Sequence, residues 1–486
     1  MKTLSDLKHV HIVGVGGTLM GAFAAFLKRA GVRVTGSDGP VYPPMSDVLR
    51  DAGVELYTGY DAANLSRVGR PDLVVIGNVV RRDNPEARAA IDGKLDYTSL
   101  PEAMERFLLV RTRNLVVAGT HGKTTTSSLL AHALREAGFP VSWFIGGVCQ
   151  ELPHSFHVER EAAEGAPFVL EGDEYDTAFW DKVPKFNHYL PDDAILTSVE
   201  FDHADIYADL AAVERAFEGL LDRIRPGGRL IACLDFESVR KLLPRARVPV
   251  TTYASTAAQR ADYFPSEIRT RDGLTSFRVM NKGGASEADI RLQLPGNHNV
   301  MNALAVFIEL RGLGVPAEKI VSALASFRGI KRRQEERGEK RGVLVIDDFA
   351  HHPTAVRETL KALRAKYPAR RLVSVFEPRS ATSRRKVFQA EYAAAFDEAA
   401  VAYIANAYDQ SSIKSDDQFS SAQLVEDMKK RGGEARLLPQ EIDAAVLAVA
   451  SQAKSGDLIA VLSNGGFGGF IGKLLTELDE VKRSFD

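Results

Sequence analysis

Residues 114–137 constrain the fold of this chain more than any other stretch. Residues 114–118 are a short apolar, β-branched run. A glycine-bracketed turn follows in Gly119-Thr120-His121-Gly122-Lys123-Thr124-Thr125-Thr126, and residues 127–137 carry helical spacing through Leu129, Leu130, Ala133 and Leu134. Strand, glycine turn and helix in that order aim backbone N–H groups and the positive end of a helix dipole at one point, a geometry that holds phosphate. Lys123 is placed to reach β- and γ-phosphates and the Thr124 hydroxyl to ligate Mg²⁺. The match to the GxxxxGK[ST] pattern is incomplete, because Val117 stands where its first glycine belongs.

The same alternation recurs on both sides. Residues 9–15 read as a strand, followed by the turn Gly14-Val15-Gly16-Gly17, a helix through Arg29 and a second strand over 32–36 that closes on Ser37-Asp38. This is a βαβ unit of Rossmann type with an acid about twenty residues after the glycines. Leu19 replaces the third glycine of the NAD fingerprint. A bound nucleotide diphosphate is therefore favoured over NAD, with a purely structural turn as the bland alternative. With a further strand at 71–78, a first domain is expected over residues 1–111.

A second domain, residues 112–328, carries the phosphate loop. Its apolar runs 167–170 and 194–199 end in Glu171-Gly172-Asp173-Glu174-Tyr175-Asp176 and Glu200-Phe201-Asp202-His203-Ala204-Asp205. Both put acids at the carboxyl end of a strand, where open parallel sheets bind ligands. Residues 238–289 are more polar and read as partly antiparallel, and Pro295 to Asn302 opens a helix rich in alanine and leucine. The basic segment 328–341 reads as a hinge or a solvated linker. In a third domain, residues 329–486, strands at 343–346 and 372–376 end in Asp347-Asp348-Phe349-Ala350-His351-His352-Pro353 and Glu377-Pro378-Arg379-Ser380. Others lie at 402–405 and at 458–462, the last before Ser463-Asn464-Gly465-Gly466-Phe467-Gly468-Gly469. The fold class is α/β in three domains: a Rossmann-like amino-terminal one, a central phosphate-loop ATPase type with a mostly parallel sheet, and a Rossmann-like carboxyl-terminal one.

Composition narrows the function classes. At 486 residues the chain exceeds a single core, and a formal charge of −2 gives no reason to expect nucleic acid or an anionic membrane as partner. The two cysteines, Cys149 and Cys233, support no disulfide framework, and no apolar run approaches the ~20 residues of a membrane span. The expectation is a cytoplasmic protein without a signal peptide.

The acids and His203 fit phosphate chemistry. Glu171 ends the strand after the loop helix, where NTPases keep the acid that holds Mg²⁺. His203 and Asp202 offer a second metal position, and two ions flanking a transferred phosphoryl group would neutralise both attacking and leaving oxygens. A lone histidine beside acids is otherwise a hydrogen-bonded structural group. Oxygen ligands with one imidazole suit Mg²⁺ or Mn²⁺, and nothing here has the spacing of zinc ligands.

The phosphate loop, the Glu171 and Glu200–His203 segments, His298-Asn299-Val300-Met301-Asn302 and Asp347 to Pro353 resemble the Mur ligase family in order and end to end. Within it, Val41-Tyr42-Pro43-Pro44-Met45, Asp173 to Asp176, Phe201 to Asp205, Glu377 to Ser380 and Ser463 to Gly469 are most similar to the branch that loads a murein tripeptide. The resemblance implies an ATP- and Mg²⁺-dependent ligase. It would join L-Ala-γ-D-Glu-meso-diaminopimelate to UDP-N-acetylmuramate through an acyl phosphate, in peptidoglycan recycling, as a monomer or weak homodimer. It implies catalytic roles for Lys123, Glu171 and His203, metal ligation by Thr124, Glu171 and His203, and nucleotide contacts from Gly119, Thr120, His121, Gly122, Lys123, Thr124 and Thr125. His298, Asn299 and Asn302 would face the adenine, Arg332 (or its neighbour Arg333) the phosphates, and Asp348 and His351 would complete the ATP site on closure. Gly14, Gly16, Gly17 and Asp38 would hold the UDP part, and Arg379 a carboxylate of the peptide.

Departures bear on selectivity. Residues 206–217 contain no lysine, so the carbon-dioxide-modified lysine of several family members is not expected, while Ala381, Val183-Pro184 and Gly172 replace residues expected from the branch. The changes near Arg379 put the third residue of the accepted peptide in question. Three rivals stand beside this reading: an L-alanine-adding ligase, a non-catalytic nucleotide-binding regulator, and an NAD-dependent oxidoreductase, which would leave the phosphate loop unexplained.

Overall fold

The structure, a computed structural model, describes residues 4–42, 45–152, 154–159, 164–271 and 273–480. Pro43 and Pro44 of the amino-terminal motif lie outside the described residues. Three sheets follow one another along the chain. In the first, strands Glu55–Thr58, Arg33–Asp38, His9–Val13, Leu73–Ile76 and Tyr97–Ser99 lie side by side in that order, all parallel. The chain winds outward from His9–Val13 on one side and then on the other, which opens a crevice at that strand's carboxyl end. Gly14 there has φ 82°, the left-handed region that ends the strand at Val13 and turns the chain into helix Thr18–Arg29.

Among the described residues the central sheet has ten strands, with Arg113–Ala118 between Asp193–Leu196 and Pro167–Gly172, all three parallel. Their inward residues are apolar on both faces, as a sheet covered on both sides requires: Leu115, Val117, Val169 and Ile195 pack one way, Val116, Leu170 and Leu196 the other. On one face lie helix Lys123–Glu136 and helix Asn297–Gly312, buried along its middle from Asn302 to Leu310, which pack against each other. The antiparallel part expected around 238–289 is the ladder Tyr263–Arg271, Leu274–Asn281 and Ser286–Leu292 at one edge.

The third sheet runs Glu335–Lys340, Val343–Asp348, Asp457–Leu462, Arg371–Phe376, Val401–Ile404 and Ala435–Leu437, parallel except for its first strand. That first strand corrects the linker reading of residues 328–341. Its second half is an edge strand, and its first half is anchored: Ile330 is buried, and Lys331 N donates to Val148 O at 3.0 Å. Glu335–Lys340 hides from apolar periodicity because an edge strand facing water can be charged throughout. The fold is α/β in all three parts. Among the described residues no helix is long and apolar enough to cross a membrane, and Cys149 and Cys233 are buried free thiols.

Candidate active site

The phosphate loop is drawn tight by its glycines. Gly119 has φ 138°, and a Cβ on it would lie 2.2 Å from Thr197 Oγ1 and 2.8 Å from Ser198 N. Gly122 has φ 81°, and its Cβ would lie 2.6 Å from Asn302 Oδ1. Any side chain at either position would push the loop off the neighbouring strand or off helix Asn297–Gly312. Thr120 N donates to Ser198 O at 3.0 Å and His121 N to Ser198 Oγ at 2.8 Å. The helix begins at Lys123, four residues ahead of the expected start at 127, because left-handed Gly122 itself is its N-cap. Lys123, Thr124 and Thr125 therefore sit in the first turn, at the positive end of the dipole.

Charge converges just beyond that turn. Lys123 Nζ donates to Gly119 O at 2.8 Å and to Glu174 Oε2 and Oε1 at 2.8 and 3.0 Å. Glu174 Oε1 also lies 3.0 Å from His203 Nε2. Burial would push the Glu174 carboxyl up, but Lys123 and His203 outweigh it and hold it below its ordinary range. Burial would likewise drag His203 down, and Glu174 and Asp202 raise it instead. His203 is held at φ 54°, unusual for a residue with a Cβ, with its N–H bonded to Asp202 Oδ1 at 2.7 Å and its ring 4.2 Å from that of Tyr175. Beside this group, Thr124 Oγ1 donates to Glu171 Oε1 at 2.7 Å, and Gly146 N donates to Glu171 Oε2 at 2.7 Å. Glu174 was missed from sequence as a site residue. Its signal, an acid three positions after Glu171, stands in the sequence as one of several strand-end acids and as part of a branch motif, with nothing that singles it out.

The expected adenine-side residues open helix Asn297–Gly312. Asn302 Oδ1 faces Gly122, Asn302 Nδ2 donates to Asn299 Oδ1 at 3.2 Å, and Asn299 Nδ2 donates to Pro295 O at 2.8 Å. His298 is pushed down to about 4 by burial, so its ring is neutral, and it lies 3.3 Å from Gln334 Nε2. Arg332 and Asp348 are engaged inside the third domain. Arg332 Nη2 donates to Ser463 O and Gly465 O, both at 2.7 Å, and its Nε lies 3.4 Å from Asp347. Asp348 accepts from Gln334 N and Ala350 N at 2.8 Å and from Thr359 Oγ1 at 3.3 Å. His351 reaches across: its Nδ1 lies 3.0 Å from Phe349 O, and its Nε2 lies 3.9 Å from Asp202 Oδ2 in the central domain.

The remaining candidates stand apart from this cluster. Gly16 N donates to Asp38 Oδ2 at 2.7 Å, and Gly39 N and Tyr60 OH donate to Asp38 Oδ1 at 2.7 and 2.9 Å, so Asp38 laces the amino-terminal turn together. Gly17 is the N-cap of helix Thr18–Arg29. Arg379 lies with its guanidinium 3.8 Å from the Tyr408 ring centroid and 3.3 Å from Glu377. It covers Gly465 so closely that a Cβ there would meet Arg379 Nε at 2.0 Å.

Comparisons with known proteins cover most of the chain. Residues 117–309 match the model of the Mur ligase middle domain, residues 332–465 that of the Mur ligase glutamate ligase domain, and residues 9–112 that of the Mur ligase family catalytic domain. The UDP-N-acetylmuramate–L-alanyl-γ-D-glutamyl-meso-2,6-diaminoheptandioate ligase of Escherichia coli (strain K12) is 37% identical over 96% of this chain and 98% of its own. A UDP-N-acetylmuramate–L-alanine ligase from Kineococcus radiotolerans is 36% identical over 95% of this chain and 94% of its own. The crystal structure of a murein peptide ligase from Psychrobacter arcticus 273-4 superposes with a TM-score of 0.71 at 33% identity, covering 97% of this chain and 99% of that one.

Proposed function

The chain belongs to the Mur ligase family of ATP-dependent, amide-forming ligases, and we propose that it joins the murein tripeptide L-Ala-γ-D-Glu-meso-diaminopimelate to UDP-N-acetylmuramate. The observation that carries this reading is the convergence of Lys123 and His203 on one buried carboxylate, Glu174, beside the Thr124–Glu171 pair. A site that holds an anion between an ammonium and an imidazole, at a helix N-terminus, fits a γ-phosphate meeting a substrate carboxylate.

Carboxylates are inert toward amines in water, so the reaction needs a better leaving group. The lactyl carboxylate oxygen attacks the γ-phosphorus, ADP leaves, and an acyl phosphate forms. The peptide's free amine then attacks the acyl carbon, the carbon–oxygen bond to phosphate breaks, and the amine loses its proton. Lys123 and the first-turn amides of Lys123, Thr124 and Thr125 hold the β- and γ-phosphates in line. The donor set suits Mg²⁺: Thr124 Oγ1 and Glu171 Oε1 are 2.7 Å apart, with one imidazole, His203, beyond them. Bound there, Mg²⁺ supplies charge neutralisation on the transferring phosphoryl group. Asn299 and Asn302 line the adenine side, Gly14, Gly16, Gly17 and Asp38 the uridine diphosphate side. Arg379, flat against Tyr408, offers a fork for a peptide carboxylate. Glu377 at 3.3 Å sets the approach of that fork. A cytoplasmic place of action fits the water-soluble substrates of this reaction, ATP, UDP-N-acetylmuramate and a free tripeptide.

Mass spectrometry of the product formed from ATP, Mg²⁺, UDP-N-acetylmuramate and an equimolar mixture of tripeptide and L-alanine tests the reading. UDP-N-acetylmuramoyl-tripeptide is the expected product. A product carrying L-alanine alone would move the chain to the L-alanine-adding branch.

A further inference from the structure

Glu200, at the end of its strand, divides its carboxylate between the phosphate loop and the third domain. Its Oε2 lies 2.9 Å from Nε2 of His121 in the phosphate loop. Its Oε1 accepts from Thr354 Oγ1, in the first turn of helix Pro353–Lys366 of the third domain, at 3.2 Å. The Glu200 backbone is clasped to the same loop: its N–H donates to Thr120 Oγ1 at 2.9 Å, and its O accepts from that hydroxyl at 3.2 Å. The next residue continues the bridge. His352, buried in the third domain, places Nε2 3.2 Å from Phe201 O and its ring centroid 4.7 Å from that of His121.

His121, Glu200 and His352 bring ligating atoms within 4.8 Å of one another, a spacing that would also suit a metal ion. Both ring nitrogens of His352 have protein partners, however: Phe201 O for Nε2, and for Nδ1 the N–H of Thr354 at 3.2 Å. His352 is therefore satisfied without an ion, His121 Nε2 and Glu200 Oε2 lie against each other, and what the three residues join is the phosphate loop to the third domain.

We propose that Glu200 is a positioning residue that couples occupancy of the phosphate loop to docking of the third domain. His121 moves with the loop, Glu200 carries the change across, and Thr354 and His352 receive it. The proposal rests on the ligase reading, because an acyl phosphate must be kept from water until the amine arrives. A latch read from the loop closes the site only once nucleotide is held.

Two variants test this, Glu200→Gln and the milder Thr354→Val, which touches only the third-domain end. Small-angle X-ray scattering with a non-hydrolysable ATP analogue reads closure without reference to any acceptor. The wild type is expected to compact on binding the analogue, and both variants to compact less. In turnover, phosphate released per amide formed is expected to rise at least about twofold above the wild type. The peptide KM is expected to rise about 3- to 30-fold, well inside the range of coupling between contacting residues. The double variant should be no worse than Glu200→Gln alone. Equal compaction by wild type and variants, or a wild type that does not compact, overturns the latch. A wild type that compacts normally but ligates L-alanine overturns the acceptor assignment and leaves the latch standing.

Discussion

The ammonium of Lys123 is gripped by both oxygens of Glu174, at 2.8 and 3.0 Å, in the place where a phosphate-loop lysine meets phosphate. Burial works against the charge on Lys123, and the carboxylates of Glu174, Asp173 and Glu171 outweigh it and raise the ammonium above its ordinary value. ATP must therefore take Lys123 from Glu174. Glu174→Gln removes the competing charge and keeps the shape. ADP is expected to bind about tenfold more tightly, a change that needs only ~1.4 kcal/mol of lost competition, while kcat falls because His203 loses its partner. Calorimetric titration with ADP checks the first effect; weaker binding would contradict it.

Glu171 accepts from Thr124 Oγ1 and from Gly146 N, each at 2.7 Å, which fixes both of its oxygens. Glu171→Gln is expected to raise the Mg²⁺ concentration for half-maximal activity by about 10- to 100-fold, with a much smaller change in the KM for UDP-N-acetylmuramate. A magnesium titration of initial rates decides it.

Gly465 leaves room for Arg379, since a Cβ there would lie 2.0 Å from Arg379 Nε. Gly465→Ala is expected to lift the guanidinium off Tyr408 and lower kcat/KM for the peptide by about 10- to 100-fold, the cost of misplacing a substrate contact by an ångström. The KM for UDP-N-acetylmuramate should hold. If both constants move together, Arg379 does not face the peptide.

His188 joins the first and central domains. Its Nδ1 lies 2.8 Å from Glu105, in helix Leu100–Phe107, and its Nε2 2.7 Å from Asp181. Burial lowers the imidazole, but hydrogen bonds to both carboxylates outweigh it and raise the value. A raised folded value means that the stabilisation is complete below the unfolded value of about 6.5 and is lost as pH rises through the folded one. Thermal unfolding of wild type and His188→Gln should therefore differ most near pH 6 and converge as the solution is made alkaline. A gap that widens with pH would contradict the assignment.

What was legible in the sequence was punctuation: apolar runs that end in glycines or acids, then helical spacing. It placed strands Arg113–Ala118, Pro167–Gly172 and Val343–Asp348 to within a few residues, because strands buried on both faces are apolar throughout. Contacts made across the chain were not legible. The Lys123–Glu174 pair spans 51 residues and His121–Glu200 spans 79, distances over which local patterns are silent. Strand Glu335–Lys340 escaped because water, not a core, covers one side of it. Asp348 illustrates the opposite limit: a motif marks the residue, and only the structure places its carboxylate on Gln334 N and Ala350 N.

The most direct measurement is phosphate release from ATP with Mg²⁺ and UDP-N-acetylmuramate, run side by side with tripeptide, with L-alanine and with no acceptor. Strong stimulation by the tripeptide alone is expected. Stimulation by L-alanine instead, or no turnover with either acceptor, would contradict the tripeptide ligase.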